Sequence, residues 1–111
     1  MAILEIRTYR LKPGTRDEFV RVMREESLPL LDAYGIRVLN SGPSIVDEDG
    51  YEEAYLMRAF ASLEHRDEQE EGFYSSAAWR EGPREAIIAG IESYHTIVLD
   101  VPESTLAALK A

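Results

Sequence analysis

Proline and glycine break this chain at Lys12-Pro13-Gly14, Gly35, Ser41-Gly42-Pro43, Asp47–Gly50, Gly82-Pro83 and Pro102, and the pieces between them carry two different hydrophobic periods. Alternation marks strands and a period of about 3.6 marks helices, so the order of the pieces limits the fold more tightly than composition does. Ile3–Leu11 alternates and reads as a strand. One parity is Leu4, Ile6 and Thr8; the other is Ile3, Glu5, Arg7, Tyr9 and Leu11. The first set is expected on a helix-covered core, and the second, partly charged, toward water, a partner or a lined cavity.

Thr15-Arg16-Asp17-Glu18 has the form of a capping box, with Thr15 as N-cap and Glu18 three residues on. Phe19, Val20, Met23, Leu30, Leu31 and Tyr34 form a helical stripe, which Ser27 interrupts. Pro29 predicts a kink or a restart, because its nitrogen has no hydrogen to donate, and Gly35 predicts the C-terminal cap. Ile36–Asn40 and Ser44–Val46 read as one interrupted strand or two short ones. After the turn at Asp47–Gly50, Glu53–Phe60 returns to complete a hairpin. Ala54, Leu56, Arg58 and Phe60 share one of its faces, with Tyr55, Met57 and Ala59 on the other. Ser62 opens a second helix with His65 at its third position. Its charged part, His65 to Gly72, reads as solvated, and Phe73, Tyr74, Ala77, Ala78 and Trp79 follow as its apolar part. Pro83 suits the first turn of a further helix over Arg84–Gly90. Tyr94–Val101, rich in β-branched residues, is the last strand, and Pro102 ends it.

The order is β-α-β-β-α-β with a split second helical region. It predicts an α+β, ferredoxin-like domain over residues 1–102 with a four-stranded antiparallel sheet, followed by a C-terminal tail, 103–111, of short-helix character. Helices cover one face of such a sheet. A second copy of the chain is the expected cover of the other, which is assigned Tyr9, Tyr55 and Met57, so a homodimer is expected.

Charge and composition narrow the partners. Twenty-one acidic residues against 12 basic ones give a net charge of −9, and most of the basic residues have acidic neighbours, which disfavours nucleic acid. No apolar run approaches the roughly 20 residues of a membrane span. Without cysteine there is neither a disulfide nor a thiolate site. The first residues lack the features of a secretory signal, so a cytoplasmic location is expected.

Glu5-Ile6-Arg7-Thr8-Tyr9-Arg10-Leu11-Lys12-Pro13-Gly14, together with Phe73-Tyr74-Ser75-Ser76-Ala77-Ala78-Trp79 and Arg80, resembles the NIPSNAP family of the dimeric α/β-barrel superfamily. The resemblance runs over about residues 3 to 101. It implies a ferredoxin-like subunit whose sheet packs on that of its twin to form a dimeric α/β barrel. It implies no single reaction: the superfamily includes cofactor-independent oxygenases, haem-handling enzymes and small-molecule binders, and fold alone does not choose among them.

The candidate catalytic residues are His95, Tyr9 and Arg58. His95 lies on the last strand, with an imidazole able to act as a base or ligand near neutral pH; its ordinary reading is a strand histidine bonded to backbone. His65, beside Glu64 and Asp67, has only one good nitrogen ligand in reach and reads as part of a solvated face. The candidate ligand-binding residues are Arg7, Tyr9, Asn40, Phe73, Tyr74 and Trp79, in which polar groups from separate strands would meet a carboxylate or phenol beside an aromatic wall. Arg7 and Arg58 have a second reading, as ion-pair partners of Glu5 or Glu53 across the sheet or of the partner subunit. No metal site and no cofactor is expected. Two functions follow: a binding or interaction protein holding a small apolar or aromatic molecule, or a cofactor-independent monooxygenase-like enzyme. In the second, Tyr9, Asn40, Arg58 or His95 would stabilise the anion of an aromatic or polyketide-like substrate.

Overall fold

The computed structural model describes residues 2–111. Four antiparallel strands, β1 (Ala2–Leu11), β2 (Arg37–Pro43), β3 (Glu52–Phe60) and β4 (Ile91–Val101), form one sheet in the order β2-β3-β1-β4. Helices α1 (Arg16–Val22) and α2 (Leu28–Tyr34) lie between β1 and β2. Helices α3 (Leu63–Ser75), α4 (Ala77–Arg80) and α5 (Arg84–Gly90) lie between β3 and β4, and α6 (Glu103–Leu109) follows the sheet. This is the ferredoxin-like α+β arrangement that the order of elements predicts.

Pro29 does restart its helix. A π turn over Met23–Ser27 joins α1 to α2 and leaves Pro29 in the first turn of α2, where a missing N–H costs little. Gly35, at φ +98°, ends α2 in the left-handed region that a side chain would strain. The capping box at Thr15 does not form. The Thr15 hydroxyl donates to the Lys12 carbonyl at 2.6 Å, and Glu18 pairs with Arg21 instead. A carboxylate from β3 caps the helix in its place: Glu52 accepts from the backbone N–H of Gly14 at 2.9 Å and of Arg16 at 3.2 Å. At α3 the Ser62 hydroxyl accepts from the His65 N–H at 3.0 Å, while His65 Nδ1 accepts from the Ala61 N–H at 3.2 Å. His65 thus reaches back as the Glu of a capping box does, but to the residue before the N-cap. Ser41-Gly42-Pro43 does not break its strand. It closes β2, an edge strand where proline is tolerated, and a bulge at Leu39 shifts the register there. Ser44–Val46 forms no strand of its own.

The two parities of β1 face opposite to expectation. Ile3, Tyr9 and Leu11 enter the core beneath the helices with Phe19, Val22, Leu31, Leu56, Phe60, Phe73, Trp79 and Ile87. Glu5 and Arg58, paired directly across β1 and β3, are buried in the same layer. Leu4 and Ile6 lie on the other face with Met57, where α6 lays Leu106 against Ala2, Leu4, Leu39 and Ala59. Buried charges are tolerated on the helix side because Glu5 and Arg58 pair with each other and with Arg66 and Glu70 of α3, long-range pairings that strand periodicity does not report. Tyr9 accordingly leaves the face assigned to it with Tyr55 and Met57.

Candidate functional site

Between the sheet and its helices a cavity of about 440 Å³ opens, a size typical of small-molecule sites. Arg7 and Tyr9 of β1, Met23, Ser27 and Leu31 of the first helical layer, Glu70, Phe73 and Tyr74 of α3, and Trp79 of α4 line it. Arg84, Ile87 and Ile88 of α5, and Ile91 and Tyr94 of β4, complete the wall. The apolar part is built from aromatic edges. Phe73 and Trp79 stand 5.5 Å apart between ring centroids, and Tyr74 sits edge-on to both at 5.1 and 5.3 Å.

The polar part centres on Arg7. Its Nε donates to Thr96 Oγ1 at 3.0 Å, Nη1 to the Tyr74 hydroxyl at 3.4 Å and Nη2 to Glu70 Oε1 at 3.3 Å. A guanidinium carries five N–H donors, so these three bonds leave part of its capacity unused. Behind it, Arg58 donates to the same Tyr74 hydroxyl at 2.8 Å and to Glu5 Oε1 at 2.8 Å. Arg66 closes the cluster with a 2.7 Å bond to Glu5 Oε2.

Burial works against the charge on Glu5, but the hydrogen bond with Glu70 and the nearby Arg58, Arg66 and Arg7 outweigh it and hold its carboxyl at about 2. Glu70 goes the other way: burial first, then the hydrogen bond and charge of Glu5, push it up to about 7. Burial likewise raises the Tyr9 phenol and keeps it protonated. Ser27 Oγ is buried without a hydrogen-bond partner on the π turn that lines the cavity. It is a donor and acceptor that a bound molecule would satisfy.

Five of the six candidate ligand-binding residues, Arg7, Tyr9, Phe73, Tyr74 and Trp79, meet in this one cavity. Asn40 does not join them. It stands opposite Met57 on the edge strand β2 and lines a separate groove with Arg24 and Lys110, because the bulge beside it resets the register. Of the candidate catalytic residues, Arg58 lies behind Tyr74, and Tyr9 lies in the wall. His95 is exposed opposite Thr8 on the far face of the sheet, one register position from Tyr94 and so on the opposite side from the cavity.

Sequence reasoning missed Glu70, Arg66 and Ser27. Glu70 falls within the charged part, His65 to Gly72, that reads as solvated. The available signal was spacing: Arg66, Glu70 and Tyr74 recur every four residues on α3, as do Met23, Ser27 and Leu31 on the first helical layer.

The family model that matches the chain is NIPSNAP, over residues 4–101. An uncharacterized NIPSNAP domain protein from Burkholderia xenovorans is 21% identical and superposes with a TM-score of 0.77, over 90% of this chain and 94% of that one. A NIPSNAP family protein from Agrobacterium tumefaciens is 23% identical, with a TM-score of 0.76 over 93% of this chain and 95% of that one. A putative antibiotic biosynthesis monooxygenase from Chloroflexus aurantiacus is more distant, at 14% identity and a TM-score of 0.55 over 92% and 96%. At these identities the structures speak to the fold alone. No curated protein matches the chain. No helix among the described residues is long and apolar enough to cross a membrane.

Proposed function

The chain belongs to the NIPSNAP family, and from that premise we propose that it is a homodimeric binding protein whose cavity takes a small, largely apolar or aromatic carboxylate. The observation that carries this reading is a half-buried arginine, Arg7, set with spare donors into a wall otherwise made of Met23, Leu31, Phe73, Trp79 and Ile87. The wall would bury a hydrocarbon or ring system, and the guanidinium would orient its acid group. Around Arg7, the guanidiniums of Arg7, Arg58 and Arg66 meet the carboxyl groups of Glu5 and Glu70, and Arg66 also pairs at 3.3 Å with the exposed Asp67. The monooxygenase-like reading has less support, since His95, the residue best able to act as its base, stands across the sheet from the cavity.

Trp79 is the only tryptophan of the chain and lines the cavity, so its fluorescence reports occupancy directly. Titration with 2-naphthoate is expected to quench it, and the uncharged 2-naphthamide should bind more weakly. Arg7→Met is expected to weaken naphthoate by about 10–100-fold, the worth of a lost charge-assisted hydrogen bond, and to leave naphthamide little changed. Equal affinity for the two compounds, or equal loss of both in the variant, would remove the carboxylate from the proposal.

The dimer is supported by β4. This 11-residue edge strand leaves Ile97 and Leu99 exposed at 44% and 39% on the far face of the sheet, an uncovered apolar surface beside unpaired backbone. Sedimentation velocity is expected to show twice the 12.6 kDa chain mass, and Ile97→Glu with Leu99→Glu to shift it to monomer. A wild-type chain that sediments as a monomer at every concentration would exclude the pairing.

A further inference from the structure

Glu70 lines the cavity and Glu5 is buried beside it, and ligand binding as described above gives this pair of carboxyl groups no role. Glu5 of β1 and Glu70 of α3 are bridged by the same nitrogens. Arg66 Nε lies 2.7 Å from Glu5 Oε2 and 3.1 Å from Glu70 Oε2, and Arg58 Nη2 contacts Oε1 of both. Two ionised carboxylates this close repel each other, and a single shared proton turns that repulsion into a hydrogen bond. The two are not equivalent. Both oxygens of Glu5 accept well-formed arginine hydrogen bonds, whereas Glu70 Oε2 is buried without one. An oxygen with no donor directed at it, next to a carboxylate, is placed to carry a proton and donate it. Glu70 also faces the cavity through Oε1, which accepts from Arg7.

We propose that Glu5 and Glu70 hold one proton between them, with Glu70 as its carrier, and that the cavity takes the anion of a weak acid together with that proton. This rests on the carboxylate reading given above and extends it to the protonation state of the site. The groups facing Glu70 are Glu5 and Arg7 from β1, Arg58 from β3, and Arg66 and Tyr74 from its own helix. With Glu70 ionised, a second carboxylate stands against Arg7 and Arg58 beside Glu5; protonation removes that negative charge from the guanidinium that faces the cavity. An incoming carboxylate therefore binds the protonated site better, and by linkage its binding retains or takes up the proton. The position of Glu70 at about 7 agrees with a group poised to exchange that proton near neutrality.

Two measurements test this. In the free protein, carbon-13 NMR of labelled glutamate side chains is expected to show one carboxyl titrating near neutral pH that vanishes in Glu70→Gln. If every carboxyl titrates in the ordinary acidic range, the shared proton is excluded. Calorimetry with 2-naphthoate, ionised across the range used, is then run in phosphate and in Tris, whose ionisation heats differ. At about pH 8, uptake approaching one proton per naphthoate is expected, with affinity about tenfold lower than at about pH 6. Glu70→Gln should bind without uptake and with a flat pH profile. Naphthoate binding with no uptake in the wild type would overturn the coupling while leaving the carboxylate site standing. Absence of naphthoate binding at either pH would overturn the carboxylate site, and with it the coupling, and the NMR titration would decide the shared proton by itself.

Discussion

Arg58→Met is expected to lower the unfolding free energy by about 3–5 kcal/mol, the cost of leaving one half of a buried ion pair without its partner. Both side chains of the pair are fully buried, so solvent cannot take over the role of the missing guanidinium. The Tyr74 hydroxyl loses its 2.8 Å donor in the same step. A domain of this size is stable by only about 5–15 kcal/mol, so the denaturation midpoint should fall by about a fifth or more of its value. Urea unfolding followed by Trp79 fluorescence measures it. Adding Glu5→Leu should return part of the loss, because a methionine facing a leucine needs no compensation. A midpoint unchanged in Arg58→Met would mean that Arg66 alone satisfies Glu5 and that the buried pair contributes nothing.

The second large effect is on stability as a function of pH. Glu5 is held at about 2 against an ordinary value of 4.5, so in acid the unfolded chain binds the proton more readily. Its contribution is complete above about pH 4.5 and is lost as the pH falls toward 2. Glu70 is pushed up to about 7, so there the folded chain binds the proton more readily. Its contribution is complete below about pH 4.5 and is lost as the pH rises through 7. The pair therefore favours the folded state most in mildly acidic solution. Glu70→Gln, which resembles the protonated carboxyl, is expected to match the wild type near pH 5 and to exceed it at pH 8 by on the order of 2–3 kcal/mol. Thermal unfolding of both proteins across this range decides it. Parallel curves would mean that Glu70 ionises in the folded protein as it does in the unfolded one.

The same cluster marks the limit of what strand periodicity conveys. Glu5 and Arg7 direct one parity of β1 toward water, a partner or a lined cavity; it does line the cavity through Arg7 and Tyr9, yet it also carries Ile3, Tyr9 and Leu11 into the core. Alternation separates the two sets of side chains but does not say which set lies under helices when each is apolar at its ends. The charges that seemed to settle the question are neutralised from far along the chain, Glu5 by Arg58 and Arg66, 53 and 61 residues away, and Arg7 by Glu70, 63 residues away. The pairing of Glu5 with Arg58 was one of two readings open from sequence, and their direct opposition across β1 and β3 selects it. Arg10, not Arg7 or Arg58, takes Glu53.

Similar reasons separate the site residues that were legible from those that were not. Phe73, Tyr74 and Trp79 stood out because aromatics cluster in sequence around α3 and α4, and they do line one cavity. Asn40 and His95 were chosen by chemical type alone. A bulge puts the first at another groove, and a single step of strand parity puts the second on the opposite face. Glu70 was hidden because an acidic residue in an acidic run carries no mark of burial.

What the sequence determined by itself is the order of elements, the places where they break and the family. Proline, glycine and hydrophobic period act over a few residues, and those suffice to make a strand, a helix or a turn. Which face of the sheet became the core, where α1 found its cap in Glu52, and which two carboxyls met beside the cavity were decided only by the tertiary structure. Each of those depends on register and on partners distant in the chain, and charged groups go where their desolvation is offset.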